Sequence, residues 1–101
     1  MSSKIESQPN SQSNYPAPTR IIQSRSQYQS CHINVPDLER PVPAISVGQE
    51  YYSFFRAVPN ADKTFEIIAK LSNMGENTVI TRVPTAYVIW VLEPQASLCQ
   101  R

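Results

Sequence analysis

The residues from Ala61 to Met74 constrain the fold of this chain more than any other stretch. Ala61, Thr64, Phe65, Ile67, Ile68, Ala69, Leu71 and Met74 fall on one arc at helical spacing. Asp62, Lys63, Glu66, Lys70 and Asn73 fall on the other. This periodicity predicts an amphipathic helix. Asn60 stands where an N-cap belongs, and Asp62 in the first turn complements the helix dipole. Glu66 and Lys70 have the favourable i,i+4 order. Gly75 is placed to end the helix in a left-handed conformation.

On both sides of this segment the residue types change. Tyr51–Val58 is short, aromatic and closed by Pro59, which favours a strand. Thr78–Val83 and Ala86–Leu92 are β-branched and aromatic, with only Pro84-Thr85 between them, so they read as a tight hairpin. Pro94 stops the second of these strands. The expected fold is therefore α+β, with three strands in the order β-α-β-β and one amphipathic helix on one face of the sheet. A helix joining two parallel strands crosses over on one face, and the hairpin adds the last strand antiparallel.

The rest of the chain reads as accessory. Residues 1–30 are rich in Ser, Gln, Asn and Pro, with Ile21-Ile22 as their only apolar cluster. Such a segment cannot bury enough apolar surface to offset the entropy of ordering it, so it is expected to be a disordered tail. Residues 31–47 contain Pro36, Pro41 and Pro43 together with Ile33, Val35, Leu38, Val42 and Ile45. They are expected to form an extended Pro-rich linker that lies along the module or spaces it. The module itself is expected over residues 48–94, with a frayed end at 95–101.

Charge and composition exclude several functions. The net charge of +1 gives no strong basic or acidic field. No run of about 18 apolar residues exists, so no membrane span is expected. The first residues lack the apolar core of a secretory signal, and the expected compartment is the cytoplasm. Cys31 and Cys99 form no C-x-x-C pair and are expected to be plain thiols. His32 is the single histidine. Cys31 and His32 alone do not make a metal site, which needs three or four converging ligands. Two glycines cannot build a phosphate-binding loop. Asp62 and Glu66 lie on the solvent side of the predicted helix rather than in a pocket. The expectation is no enzyme, no cofactor and no metal.

The predicted architecture points to a surface instead. With Pro84-Thr85 as a two-residue loop, Val83 faces Ala86, Thr81 faces Val88 and Val79 faces Trp90. That set is expected under the helix, Trp90 included. The opposite face then holds Ile80, Arg82, Tyr87, Ile89 and Val91, joined by Tyr52, Phe54, Arg56 and Val58 of the first strand. A water-facing side should be polar, and this one is not. An exposed apolar patch of this kind marks an interface, and a folded unit of about 50 residues is near the lower limit for a self-sufficient core. The expected role is a protein-interaction module, an adaptor or capping unit that docks a protein partner or another copy of itself. Its partner-binding residues are expected to be Tyr52, Phe54, Arg56, Ile80, Arg82, Tyr87 and Ile89. One alternative is single-stranded nucleic-acid binding, with Tyr52, Phe54 and Tyr87 stacking on bases and Arg56 and Arg82 on phosphates. The five basic and five acidic residues between Ile45 and Arg101 argue against it. The other way to cover the face is for residues 33–45 to fold back over it.

Two families share parts of this pattern. The run Tyr51–Arg56, the helix with Ala61, Ile68 and Leu71, then Gly75 and the strand Ala86–Val91 resemble one half of a SPOR domain, over residues 51–92. That resemblance implies glycan binding, to bacterial peptidoglycan. The same order of strand, helix, Gly75 and strand is also similar to the CpcD-type linker domain of phycobilisomes. That resemblance implies a cytosolic module that caps or plugs a rod of other proteins.

Overall fold

The structure, a computed structural model, describes residues 18–99. It contains β1 (Thr19–Ile22), a 3-10 turn (Arg25–Gln27), β2 (Gln29–Asn34), β3 (Val42–Val47), β4 (Glu50–Val58), α1 (Ala61–Asn73), β5 (Thr78–Val83), β6 (Ala86–Leu92) and β7 (Ser97–Leu98). The strands form one seven-stranded sheet in the order β1-β5-β6-β4-β3-β2-β7. Only β1 against β5 is parallel; the other pairs are antiparallel.

This sheet overturns the expectation of three strands. The segment β4-α1-β5-β6 is the predicted strand–helix–strand–strand unit, but it is embedded in a larger mixed sheet. β1, the 3-10 turn and the first two residues of β2 lie inside the stretch read as a disordered tail; residues 1–17 fall outside the described part. The supposed linker holds most of β2 and all of β3. β3 and β4 form a hairpin across Gly48-Gln49, with Val47 opposite Glu50 and Gly48 at φ 60. The prolines hid β3, because Pro is scarce within sheets. β7 pairs Ser97 and Leu98 with Asn34 and Ile33, so the end read as frayed is tied to the sheet as well.

The local predictions around the helix hold. Asn60 Oδ1 accepts the Lys63 N–H at 2.7 Å, and the Thr64 hydroxyl donates to the Asn60 carbonyl at 2.8 Å. At the other end Gly75 has φ 86. Its N–H reaches the Ser72 carbonyl at 3.0 Å, and the Glu76 N–H reaches the Leu71 carbonyl at 3.0 Å. This is a complete Schellman cap, which requires the left-handed residue that glycine supplies most readily. The β5–β6 register has Val83 opposite Ala86, as the two-residue loop demands.

The faces of the sheet are the reverse of the expected ones. α1 packs its Ile68 and Leu71 on Ile80, Ile89 and Val58, with Tyr87 and Val91 at the margin. Val79 lies on the opposite side with Ile22, Ile45, Val47 and Tyr52, and Tyr28, Trp90 and Leu92 pack against them. Trp90 is therefore not under the helix. Its indole N–H donates to Thr81 Oγ1 at 2.9 Å, and its ring meets Phe54 edge-on at 5.9 Å.

Both faces are covered by the chain itself. Ile22 ends β1 at one edge, and Gln29 begins β2 five strand positions away. In a flat sheet that separation is roughly 24 Å. A seven-step link reaches about 24 Å only when fully extended, and the 3-10 turn shortens it further. The sheet must curl, and it curls around the side holding Ile22, Val79, Tyr52 and Ile45.

Ile22 and Ile89 are both almost fully buried, whereas Ile21 is 59% exposed. Ile89→Ala and Ile22→Ala should each lower unfolding free energy by about 3 kcal/mol in urea titrations, with Ile21→Ala near neutral. An Ile22→Ala variant as stable as the parent would show that β1 contributes nothing to the core.

Candidate functional site

β4 is nine residues long, but its outer neighbour covers less than half of it. β3 pairs with Glu50–Ser53 and then stops at Ala44. The next residue back in β3 is Pro43, which has no N–H to give a ladder. Among the described residues, no strand pairs with Phe54–Val58 on this side. On its inner side β4 remains paired to β6 as far as Val58 opposite Tyr87.

The register to β6 slips between Phe54 and Arg56, leaving Phe55 as an extra residue. Such a two-against-one bulge inverts the alternation of the strand beyond it. Tyr52 and Phe54 precede the bulge and belong to the Trp90 side of the sheet. Arg56 is opposite Ile89 and Val58 opposite Tyr87, both on the α1 side. The backbone follows the same logic. The Glu93 N–H donates to the Tyr51 carbonyl at 2.8 Å, so Tyr51 and Ser53 turn their polar groups to β6. Tyr52 and Phe54 turn theirs outward. Ile45 of β3 lies opposite Tyr52; among the described residues none pairs with Phe54 on that side, where the next β3 residue is Pro43.

Along this free edge runs a surface groove of about 330 Å³. One wall is Phe55 and Arg56; the other is a stripe of α1 that includes Ile67, Leu71 and Met74. Lys63, Glu66 and Lys70 stand on the same stripe. Three cations against one carboxylate leave the groove positive. The Glu66–Lys70 pairing expected from spacing is not the one formed: Glu66 Oε1 lies 3.6 Å from Lys63 Nζ, a largely exposed contact. Such a contact contributes little. Arg56 stacks on Phe55 at 5.6 Å. Phe55 is 42% exposed and Met74 72%, so large apolar surface faces water here.

The seven residues expected on one open face do not share one. Ile80 and Ile89 are buried beneath α1, and Tyr87 packs beside them. Arg82 is exposed and lies over the Tyr87 ring at 5.4 Å. Tyr52 is buried in the opposite cluster. Phe54 is exposed on the Trp90 side, and Arg56 alone lines the groove. Sequence reasoning missed Phe55, Ile67 and Met74 as surface residues. No sequence signal marked them, since Tyr51-Tyr52 repeats the aromatic succession of Phe54-Phe55 in the same strand without a bulge.

Other cavities offer less chemistry. One of about 360 Å³ is lined by Cys31, His32, Pro41, Leu98 and Cys99, with burial pushing the Cys31 thiol up from its usual value. Among the described residues, no three His, Cys, Asp or Glu side chains are grouped to hold a metal. No helix there is long and apolar enough to cross a membrane. Comparison with family models, curated proteins and solved structures finds no match to this chain.

One titratable group is built into the core. The Tyr52 hydroxyl donates to Glu50 Oε1 at 3.1 Å. Burial raises its pKa, the Glu50 hydrogen bond and charge add to this, and Arg20 opposes it. A phenol with a folded pKa above its unfolded value of about 10 stabilises the fold below that pH and loses the contribution as pH rises through the folded value. Thermal melts should therefore decline above about pH 10, and Tyr52→Phe should flatten that decline. An unchanged alkaline limb would remove Tyr52 as its source.

Proposed function

We propose that this chain is a non-enzymatic protein-interaction module that receives its partner along α1 and the free end of β4. The carrying observation is Phe54–Val58, which presents exposed aromatic side chains beside a backbone edge with which no strand among the described residues pairs. Long unprotected edges invite pairing, and soluble proteins ordinarily blunt them. This chain instead places a groove with apolar walls and a positive rim beside one. The docking surface is thus not the open sheet face expected from alternation, because the chain's own strands and helix fill both faces. The proposed setting is the cytoplasm, in line with free thiols in a chain without metal-binding or redox motifs.

The nucleic-acid alternative draws less support. Tyr52 and Tyr87, two of its three stacking residues, are engaged in packing, which leaves Phe54 as the exposed ring of that set. The glycan reading, which follows from the SPOR resemblance, would rest on Phe55 as the one aromatic ring lining this groove.

The reading is tested by placing a photo-crosslinking phenylalanine analogue at Phe55 and, as a control, at the exposed Glu39, in the native host. Irradiation should yield a defined protein adduct from position 55 and none from position 39. Equal or absent adducts would overturn the docking surface.

A further inference from the structure

We infer that the partner is an acidic, partly apolar segment that binds in extended form, adding a strand to β4 at Phe54–Val58. This deepens the interaction reading and rests on it. An extended peptide laid on a sheet edge takes its affinity from main-chain hydrogen bonds and its specificity from alternate side chains. The edge has the means for the first. Phe54 turns its N–H and carbonyl outward before the bulge, and Ala57 takes the equivalent outward position after it. Both residues are exposed. Pairing to β3 ends at Ala44, and the next residue, Pro43, has no N–H to continue it, so the gap follows from the sequence of β3.

The groove supplies the second element. Phe55 and Arg56 flank the free edge and also form one groove wall. Every second side chain of an added strand would enter between that wall and α1. There it would meet Ile67 and Met74 together with the charges of Lys63 and Lys70. Only Glu66 offsets the cations Arg56, Lys63 and Lys70, and it is held by Lys63. Carboxylates alternating with aliphatic groups match this pattern, and basic peptides are repelled by it.

Charge also argues against the two nearest alternatives. A second copy would bring the same Arg56, Lys63 and Lys70 against themselves. The chain's own residues 1–17 contain Lys4 and Glu6 and carry no excess of acid.

The probe is a capped, dye-labelled heptapeptide alternating glutamate and isoleucine, titrated into the full chain and read by fluorescence anisotropy. It should bind at least about ten-fold more tightly than the lysine–isoleucine counterpart, and about 0.5 M salt should narrow the gap. The double variant Arg56→Glu with Lys70→Glu, both at exposed sites, should reverse the preference. Methylating the alternate backbone amides that would face β4 should abolish binding, and the Phe54 and Ala57 amides should gain protection from hydrogen exchange in the unmethylated complex. Equal binding of both peptides, undiminished binding of the methylated one, or unprotected Phe54 and Ala57 amides would overturn the inference. The crosslinker at Phe55 separates the two levels. An adduct to a basic or helical partner segment, to a second copy, or to residues 1–17 sinks the acidic-strand inference alone. No adduct sinks the interaction reading with it.

Discussion

The extra residue in β4 is the constraint on which the rest of the structure depends. A strand with strict alternation keeps positions two apart on the same face. Phe55 shifts the phase, so the same strand delivers Tyr52 to the cluster with Ile45 and Val79, and Val58 to the cluster beneath α1. Without that shift, Val58 would lie on the face away from α1. The bulge also leaves Phe55 and Arg56 together at the rim, where they line a groove rather than a core.

Two-sided burial then explains how so few residues sustain a fold. One helix covers Ile80 and Ile89. The other face is covered because the short link through the 3-10 turn forces β1 and β2 towards each other, curling the sheet around Ile22, Tyr52 and Val79. The buried polar groups are answered on both faces: Trp90 donates to Thr81 on this side, and on the α1 side the Thr19 and Thr78 hydroxyls share a bond of 2.7 Å. Part of the apolar surface that remains outside, Phe54, Phe55 and Met74, lies by the unpaired end of β4, while Ile21, Leu38, Phe65 and Leu98 are exposed elsewhere. It is a residue of the packing solution, not of the alternation pattern.

The candidate site was legible only in fragments. Arg56 and Phe54 were identified as surface residues, and both are. Ile80 and Ile89 were assigned outward because the hairpin offers two apolar faces, Val79–Trp90 and Ile80–Ile89, and alternation cannot say which one the helix takes. Phe55 and Met74 could not be assigned, because their exposure depends on where β3 ends and on how much of the helical arc the core uses. Thr64, Ile68 and Leu71 use the buried part of that arc, and Met74 is left over.

Sequence alone determined the elements whose energetics are local. The extent of α1, its Asn60 and Gly75 caps, and the β5–β6 hairpin with its register follow from contacts within a few residues, so a linear reading contains them. Only the tertiary structure decided that Thr19–Ile22 is a strand, since its partner is Thr78–Thr81, 59 positions along the chain. The same holds for β2 and β3, whose prolines and polar residues are outweighed by pairing with neighbours on both sides. Which face the helix covers, and which edge stays free, are likewise settled by long-range packing. Alternation marks two sides of a strand but does not label them.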